Sequence, residues 1–349
     1  MRIGLRTIGA NARPYLIAEM SGNHNRSLKR ALELVDAAAF SGADAIKLQT
    51  YTADTMTLNV NMPGFVITDP ESLWTGRRLY ELYQEAHTPW EWHAPIMQRA
   101  KAHNIACFSS PFDSTAVDFL ESLNVPAYKI ASFELTDLAL IRKVAATGKP
   151  MLMSTGMATA AEIDLAVSAA RNSGCTDLIL LKCTSTYPAT ASNTNTLTVP
   201  HMRQLFGCDV GLSDHTMGCG VAVAATALGA VLIEKHFTLR RADGGVDSSF
   251  SMEPQEFAAL RLETERAWQS LGAVSYGPTS AEQPSLAFRR SLYISQDVRA
   301  GETLTAENVR CVRPGYGLAP DHLQAILGRA VNSDAPAGTP LSWALLANR

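Results

Sequence analysis

No stretch of the sequence approaches the ~20 consecutive apolar residues of a membrane span. The opening segment, MRIGLRTIGANARPYLIAEM, lacks the uninterrupted apolar core of a signal peptide. A cytoplasmic protein is therefore expected. Charge is nearly balanced: 30 Lys and Arg stand against 33 Asp and Glu, a net of −3. Neither nucleic acid nor an anionic membrane is advertised as a partner. The six cysteines, Cys107, Cys175, Cys183, Cys208, Cys219 and Cys311, form no CxxC pair. Cys107 and Cys183 fall inside apolar runs. All six read as reduced, mostly packing residues, and a chain of this length needs no disulfide staples. No GxGxxG follows the first apolar run, which removes the main signature of a dinucleotide-binding open sheet.

What is present is a rhythm. Eight short apolar runs alternate with amphipathic helical stretches: YLIAEM (15–20), AIKLQT (45–50), IACFSS (105–110), AYKIAS (127–132), MLMST (151–155), LILLKC (178–183), VGLSDH (210–215) and VLIEKH (231–236). Each has the density of a strand buried on both faces. Strand–helix repetition argues for a parallel sheet, and eight strands close a (β/α)₈ TIM barrel. The rival is an open doubly wound sheet. Among the helices, Leu28, Ala31, Leu32, Leu34, Val35, Ala38 and Ala39 share one face, with Gly42 as a stop. Thr88-Pro89-Trp90-Glu91 reads as a capping box with proline at the first helical position. A further helix runs over 159–171.

Residues 51–88 form an insertion after the second strand, too long for an ordinary connection and rich in Trp, Tyr and Arg. It shapes a pocket or interface, or simply covers the barrel rim. Leu79, Tyr80, Leu82 and Tyr83 suggest a short helix in it. A last barrel helix spans 254–271 and stops at Gly272. The barrel domain is placed at 1–272, a Pro/Gly-punctuated linker at 273–285, and a second, β-rich domain at 286–349. That domain repeats a D-x-x-A-G-E/T turn. At roughly 60 residues it is small enough to lean on a partner.

The chemistry gathers where barrels keep their active sites, at the carboxyl ends of the strands. These ends carry Glu19, Lys47 with Gln49, Ser109 with Ser110, Lys129 with Ser132 and Glu134, Ser154 with Thr155, Lys182 with Thr184 and Ser185, Ser213 with His215, and Glu234 with His236. Any one of them alone is an ordinary loop residue; a ring of them on one rim points to a site. His215 and His236 close adjacent strands, which suits a borderline divalent metal such as Mn²⁺, Zn²⁺ or Co²⁺; His24 is a weaker third candidate. Lys47 and Lys129 sit in otherwise apolar runs, where an ammonium needs a partner. They are either structural ion pairs or, with Ser110, Ser132, Ser154 and Ser213, an anion site for a phosphate and a carboxylate. Glu19 and Glu134 are candidates for proton transfer, or each anchors a lysine.

At this point the chain resembles the sialic acid synthases, most of all their pseudaminic acid branch. The resemblance runs through IAEMSGNHN, DAIKLQTYTADTMTL, LYELYQEAHTPWEW, FSSPFD, PAYKIASFE, STGMAT, LLKCTSTYP, GLSDHT, EKHFTL, RADGGVDSSFSM and RPGYGL. It implies a TIM barrel followed by a small antifreeze-like (SAF) domain. It also implies a domain-swapped homodimer. It places a divalent metal on His215 and His236, Mn²⁺ foremost, with Co²⁺ or Mg²⁺ as alternatives. It puts phosphoenolpyruvate on Lys47, Ser110, Lys129, Ser132, Ser154 and Ser213, and gives Glu19 and Glu134 the acid–base positions. Asp247 contacts an amino-sugar aldehyde, Gln49 and Tyr187 line the pocket, and Arg313 reaches in from the partner chain. CTSTYP puts Ser185 where the N-acetylneuraminate branch has an asparagine. AEMSGNH and RADGGVD also depart from that branch, so the sugar transfers least well.

The implied reaction is an aldol-like condensation giving a nonulosonic acid. Rival readings are a neuraminic or legionaminic acid synthase, a metal-dependent hydrolase on the same barrel, and an ice- or glycan-binding protein. The hydrolase would need more ligands than two histidines, and a binding module would not need the polar rim.

Overall fold

Each of the eight apolar runs becomes a strand, since every strand of a helix-wrapped sheet is buried on both faces. The computed structural model describes residues 1–347, and the chain divides into two units, Met1–Gly272 and Ala273–Arg349. The first opens with a two-stranded hairpin, β1 (Arg2–Ile3) and β2 (Arg6–Thr7). There follow β3 (Tyr15–Glu19), β4 (Ala45–Thr50), β5 (Ala106–Pro111), β6 (Tyr128–Ile130), β7 (Met151–Ser154), β8 (Leu178–Cys183), β9 (Asp209–Asp214) and β10 (Leu232–His236). These eight pair in sequence, all parallel, and β10 closes on β3. The barrel is the one expected.

The helices are α1 (Leu28–Phe40), then α2 (Ala53–Met56), α3 (Leu79–Ala86) and α4 (Trp90–Ala102) between β4 and β5, then α5 (Ser114–Ser122), α6 (Leu138–Ala145), α7 (Ala160–Asn172), α8 (Thr198–Phe206), α9 (Gly220–Ala227) and α10 (Pro254–Leu271). Ser27 caps α1, and Gly42, at φ +87°, takes the left-handed position that stops it. Thr159 and Glu162 make the capping box of α7. Thr88 does not make the one expected of it. Helix α4 starts after Pro89 without a side-chain cap, and the Thr88 hydroxyl lies buried beside His24 Nε2 at 3.4 Å.

Side chains alternate along a strand, so each barrel strand has an inner and an outer row. The inner row at the amino ends is apolar: Tyr15, Ile17, Phe108, Leu152, Ile179, Leu181 and Leu232 form one cluster with Ile3 and Ile8 of the hairpin segment. The hairpin therefore floors the barrel. Burying each isoleucine contributes about 1.5–3 kcal/mol. The outer rows pack against α1 and α4–α10 in a larger cluster that includes Leu34, Ile46, Tyr128, Ile141 and Phe257. With its base filled, the barrel has only the carboxyl rim left for polar inward residues.

The second unit contains a nine-residue 3₁₀ segment, Ser280–Phe288, then β11 (Ser291–Ile294) and β12 (Val309–Val312), which pair antiparallel, and α11 (Leu323–Ile326). Its core is Leu292, Ile294, Val298, Leu304, Val309, Ile326, Val331 and Leu341. The repeated turn has a reciprocal purpose. Asp297 Oδ1 accepts from Ala337 N at 2.8 Å, and Asp334 Oδ1 accepts from Ala300 N at 2.7 Å. Each aspartate thus caps the other's turn.

Candidate active site

Register builds the site. Glu19 lies opposite His236 on one neighbouring strand and Lys47 on the other; Gln49 lies opposite Ser110, and Glu234 opposite Ser213. All are inward positions above the apolar floor. Lys47 and Lys129 are 3% and 2% exposed, so both ammonium groups require partners. Lys47 Nζ stands 2.9 Å from Glu19 Oε2 and 3.7 Å from Glu234 Oε2, and donates to Ser110 Oγ at 3.3 Å. Lys129 Nζ donates to both oxygens of Glu234, at 2.9 and 3.1 Å. Ser213 Oγ donates to Glu234 Oε1 at 3.1 Å. Gln49 Nε2 donates to Glu19 Oε1 at 2.8 Å and to Ser21 Oγ at 3.2 Å.

The charges in this cluster are not independent. Burial alone would push the Glu234 carboxyl up, but Lys129 and Lys47 hold it well below the usual range. Burial pushes Glu19 up despite Lys47. Burial, with Lys47 beside it, lowers Lys129. Burial would also lower Lys47, yet Glu19 and Glu234 keep it raised. Two cations face two carboxylates, and the serine hydroxyls surround them.

Ser132 accepts from Gly156 N at 3.2 Å, and Ser154 Oγ is buried without a partner. A Cβ on Gly156 would stand 2.1 Å from Ser185 Oγ and 2.7 Å from Ser132 Oγ. The loop after β7 therefore needs glycine for these hydroxyls to sit together. Glu134 follows in a 3₁₀ turn (Ser132–Glu134). Its Oε2 is buried and unpartnered, and burial pushes its carboxyl up to about 7.

On the other side stand the histidines, their ring centroids 5.3 Å apart. His215 Nδ1 faces the Thr184 carbonyl at 3.0 Å, which fixes that nitrogen as the donor and leaves Nε2 its lone pair. Burial and the neighbouring His215 lower His236 well below the ordinary imidazole range, and its Nδ1 is buried without a hydrogen bond. Asp247 Oδ2 lies 3.6 Å from that nitrogen and accepts from Ser21 Oγ. Burial pushes the Asp247 carboxyl up to about 6. Tyr187 packs on His215 at 4.5 Å and on Phe250 at 5.4 Å. Two adjacent imidazoles with an orphaned nitrogen and a carboxylate nearby fit a divalent cation. Among the described residues no group of three or more His, Cys, Asp or Glu side chains is arranged to hold a metal, so two histidines would leave coordination positions for water or substrate.

Several rim residues go elsewhere. Ser109 is on the outer row, bonded to Thr50 at 2.6 Å, and Thr50 reaches His93 at 2.8 Å. Lys182 also faces outward and donates to the Cys183 carbonyl and the Thr184 hydroxyl. His24 does not join the histidine pair. Its Nδ1 accepts from Arg26 N, and its ring meets Trp92 edge-on. Arg313 belongs to the second unit and is exposed.

The sequence reading missed two members. Glu234 shares the His236 face in the sequence with nothing to mark a role, yet it joins both lysines and Ser213. Cys183 reads as packing in the sequence, yet its Sγ lies 3.8 Å from Ser185 Oγ, and burial, which would raise its thiol, is outweighed by the nearby His215 imidazole, which lowers it to about 6. The alternation of LILLKC, which puts Cys183 inward, was the available signal.

Similarity to known proteins agrees with this arrangement. Residues 34–276 match the NeuB family, and residues 289–347 match the SAF domain. A pseudaminic acid synthase of Helicobacter pylori is 43% identical over 94% of this chain and 96% of its own. A pseudaminic acid synthase of Campylobacter jejuni is 41% identical over 98% of both chains. The solved N-acetylneuraminic acid synthetase of Leptospira borgpetersenii, in complex with citrate, superposes with a TM-score of 0.72 at 31% identity, covering 82% of this chain and 94% of that one.

Proposed function

The chain belongs to the NeuB family, and on that basis we propose that it condenses phosphoenolpyruvate with 2,4-diacetamido-2,4,6-trideoxy-L-altrose and water, giving pseudaminic acid and phosphate. The observation that carries the reaction class is the pair of buried ammonium groups, Lys47 and Lys129, ringed by serine hydroxyls and facing two histidines. The choice of sugar rests on whole-length similarity to the two pseudaminic acid synthases.

Phosphoenolpyruvate brings a phosphate and a carboxylate. Lys47 and Lys129 neutralise them, and Ser110, Ser132, Ser154 and Ser213 supply hydroxyl donors. The sugar lies on the side of Asp247, Gln49, Ser185 and Tyr187. A bond forms between C3 of phosphoenolpyruvate and the aldehyde carbon of the open-chain sugar. The cationic character this leaves at C2 is met by a water oxygen, and the C2–O bond to phosphate then breaks. Water gives up both protons as C2 becomes a carbonyl, one ending on the former aldehyde oxygen and one on the departing phosphate. Glu19 and Glu134 are the groups that hold and move these protons. Charge shifts between three groups, so preorganised lysines and carboxylates are the main catalytic device. His215 and His236 would hold a divalent ion, which we assign as Mn²⁺ with Co²⁺ or Mg²⁺ as substitutes. When bound, such an ion supplies Lewis-acid polarisation of a carbonyl oxygen.

We place the barrel domain at 1–272, the linker at 273–285 and the SAF domain at 286–349, in a domain-swapped cytoplasmic homodimer. Among the described residues no helix is long and apolar enough to cross a membrane. The test of the activity is phosphate release, with product mass, on three sugars: the proposed altrose derivative and the precursors of N-acetylneuraminic and legionaminic acids. Preference for the altrose derivative in kcat/KM is expected. Equal or better turnover of either other sugar overturns the assignment of the substrate, and release with none overturns the reaction.

A further inference from the structure

We propose that Trp74 is a positioning residue for the sugar half of this site, latching the insertion between β4 and β5 to the loop that carries Asp247. The Trp74 indole N–H donates to the Val246 carbonyl at 3.0 Å, across 172 residues of sequence. The next residue is Asp247, the buried carboxylate beside His236. The same indole ring packs on Tyr187 at a centroid distance of 6.0 Å, and Tyr187 packs on His215 and Phe250. One side chain therefore touches both flanks of the histidine pair.

The two segments that Trp74 joins differ in how they are held. Gly244 and Gly245 precede Val246 at φ +73° and +131°, a backbone that glycine adopts readily, and Asn25 Nδ2 donates to the Gly244 carbonyl at 3.1 Å. The insertion, by contrast, presents Trp74 from a stiffened tip. Val66 bridges to Arg78, Ile67 N donates to Arg77 O at 3.0 Å, and Gly76 N donates to Ile67 O at 2.8 Å. Inside the turn, Ser72 N donates to Asp69 O at 3.1 Å and Trp74 N to Ser72 Oγ at 3.2 Å. The tip thus adds one hydrogen bond to a loop that Asn25, Arg30 and Ser21 hold from the barrel side, and one aromatic contact to Tyr187.

The two halves of the site differ in what holds them. Lys47, Ser110, Lys129 and Ser213 stand on or at the end of barrel strands, and their side-chain partners among the described residues are Glu19, Glu234 and one another. Asp247 and Tyr187 stand on loops that Trp74 joins. Loss of the latch should therefore fall on the sugar and spare phosphoenolpyruvate, an inference that rests on the function proposed above.

Trp74→Ala and Trp74→Phe test it. In the alanine variant the KM for the sugar should rise roughly ten- to hundredfold, the scale of one hydrogen bond and one aromatic contact, with the KM for phosphoenolpyruvate within about twofold of wild type. Phenylalanine keeps the ring and loses the donor, so it should fall between. Equal losses for both substrates, or no loss, overturn the proposal. A second arm needs no substrate. Hydrogen exchange in Trp74→Ala should quicken at 241–250 as well as 66–78, with β4 unchanged; an unaffected 241–250 segment overturns the latch. If the wild-type enzyme turns over none of the sugars, the proposed function fails and the exchange arm alone decides.

Discussion

Glu234 takes the Lys129 ammonium on both carboxylate oxygens, at 2.9 and 3.1 Å, while standing 3.7 Å from Lys47. One anion thus stands between two buried cations, of which Lys47 is also paired with Glu19 at 2.9 Å. Glu234→Gln leaves the Lys129 ammonium without its carboxylate, and breaking a buried pair in this way costs about 3–5 kcal/mol. The variant should melt several degrees below wild type by calorimetry. Inorganic phosphate or phosphoenolpyruvate should restore more of its Tm than they add to wild type, because the ligand replaces the missing anion. Identical Tm values and identical phosphate shifts would show that Glu234 is not the counter-charge.

Glu134 should leave a mark on the pH dependence of stability. Burial pushes its carboxyl up to about 7 from an ordinary 4.5. Between those values the unfolded chain has lost the proton and the folded chain keeps it, so stability falls as pH rises through that window and is level above it. Glu134→Gln removes the penalty. Its advantage over wild type should be absent at pH 4 and grow to about 1–3 kcal/mol by pH 8, measured by urea unfolding. The same group, if it moves a proton in catalysis, gives kcat a limb near pH 7 that the glutamine variant lacks. Parallel stability curves for the two proteins from pH 4 to 8 would refute the burial account.

The barrel was legible because burial on both faces leaves an unmistakable run of apolar residues, and eight such runs leave few architectures. The rim was legible only as a row. Ser109 and Lys182 look like Ser110 and Lys129 in one dimension, and only the alternation within each strand sends the first pair outward. Thr88 carried a correct cap signature but was drawn into a buried contact with His24. Gly156 gave no sign that its missing Cβ makes room for Ser132 and Ser185. The bond from Trp74 to Val246 joins segments whose proximity follows from barrel closure, which no local pattern encodes. The repeat around Asp297 and Asp334 was visible, whereas the exchange of caps between the two turns needed coordinates.

Metal dependence follows from the histidine pair. A strong chelator should abolish turnover, and Mn²⁺ or Co²⁺ should restore it. His236→Ala removes the imidazole whose Nδ1 is buried without a protein partner, and His215→Ala removes its neighbour. Each should lose most activity while keeping a cooperative melt. Binding to the native state alone raises Tm by mass action, so Mn²⁺ should raise the Tm of the chelated wild-type protein and leave both variants unmoved. Variants that keep full activity, or keep the Mn²⁺-dependent rise, would remove the metal from these residues.

Arg313 is the most exposed of the proposed assignments. In the second unit it precedes Pro314 and Gly315 in a turn pinned from several sides. Ser291 Oγ donates to the Pro314 carbonyl at 2.7 Å, Gly317 N donates to Ser291 Oγ at 2.8 Å, and Gly315 N donates to Ala287 O at 2.9 Å. A Cβ at Gly315 would stand 2.8 Å from the Leu286 carbonyl, so that position must stay glycine. The turn is rigid, while the Arg313 side chain is solvent-exposed. A planar guanidinium with its fixed fork of donors suits the carbonyl oxygen of an N-acetyl group. If Arg313 serves the barrel of the other subunit, two defective chains can complement each other. Glu19→Gln and Arg313→Ala chains should each be nearly inactive alone. In a mixed dimer, isolated with two affinity tags, one site then carries both defects and the other carries neither. About half of wild-type activity per dimer should return, as the symmetry of a shared site requires. Mixed dimers that form and stay inactive would place Arg313 in its own chain's site or in none.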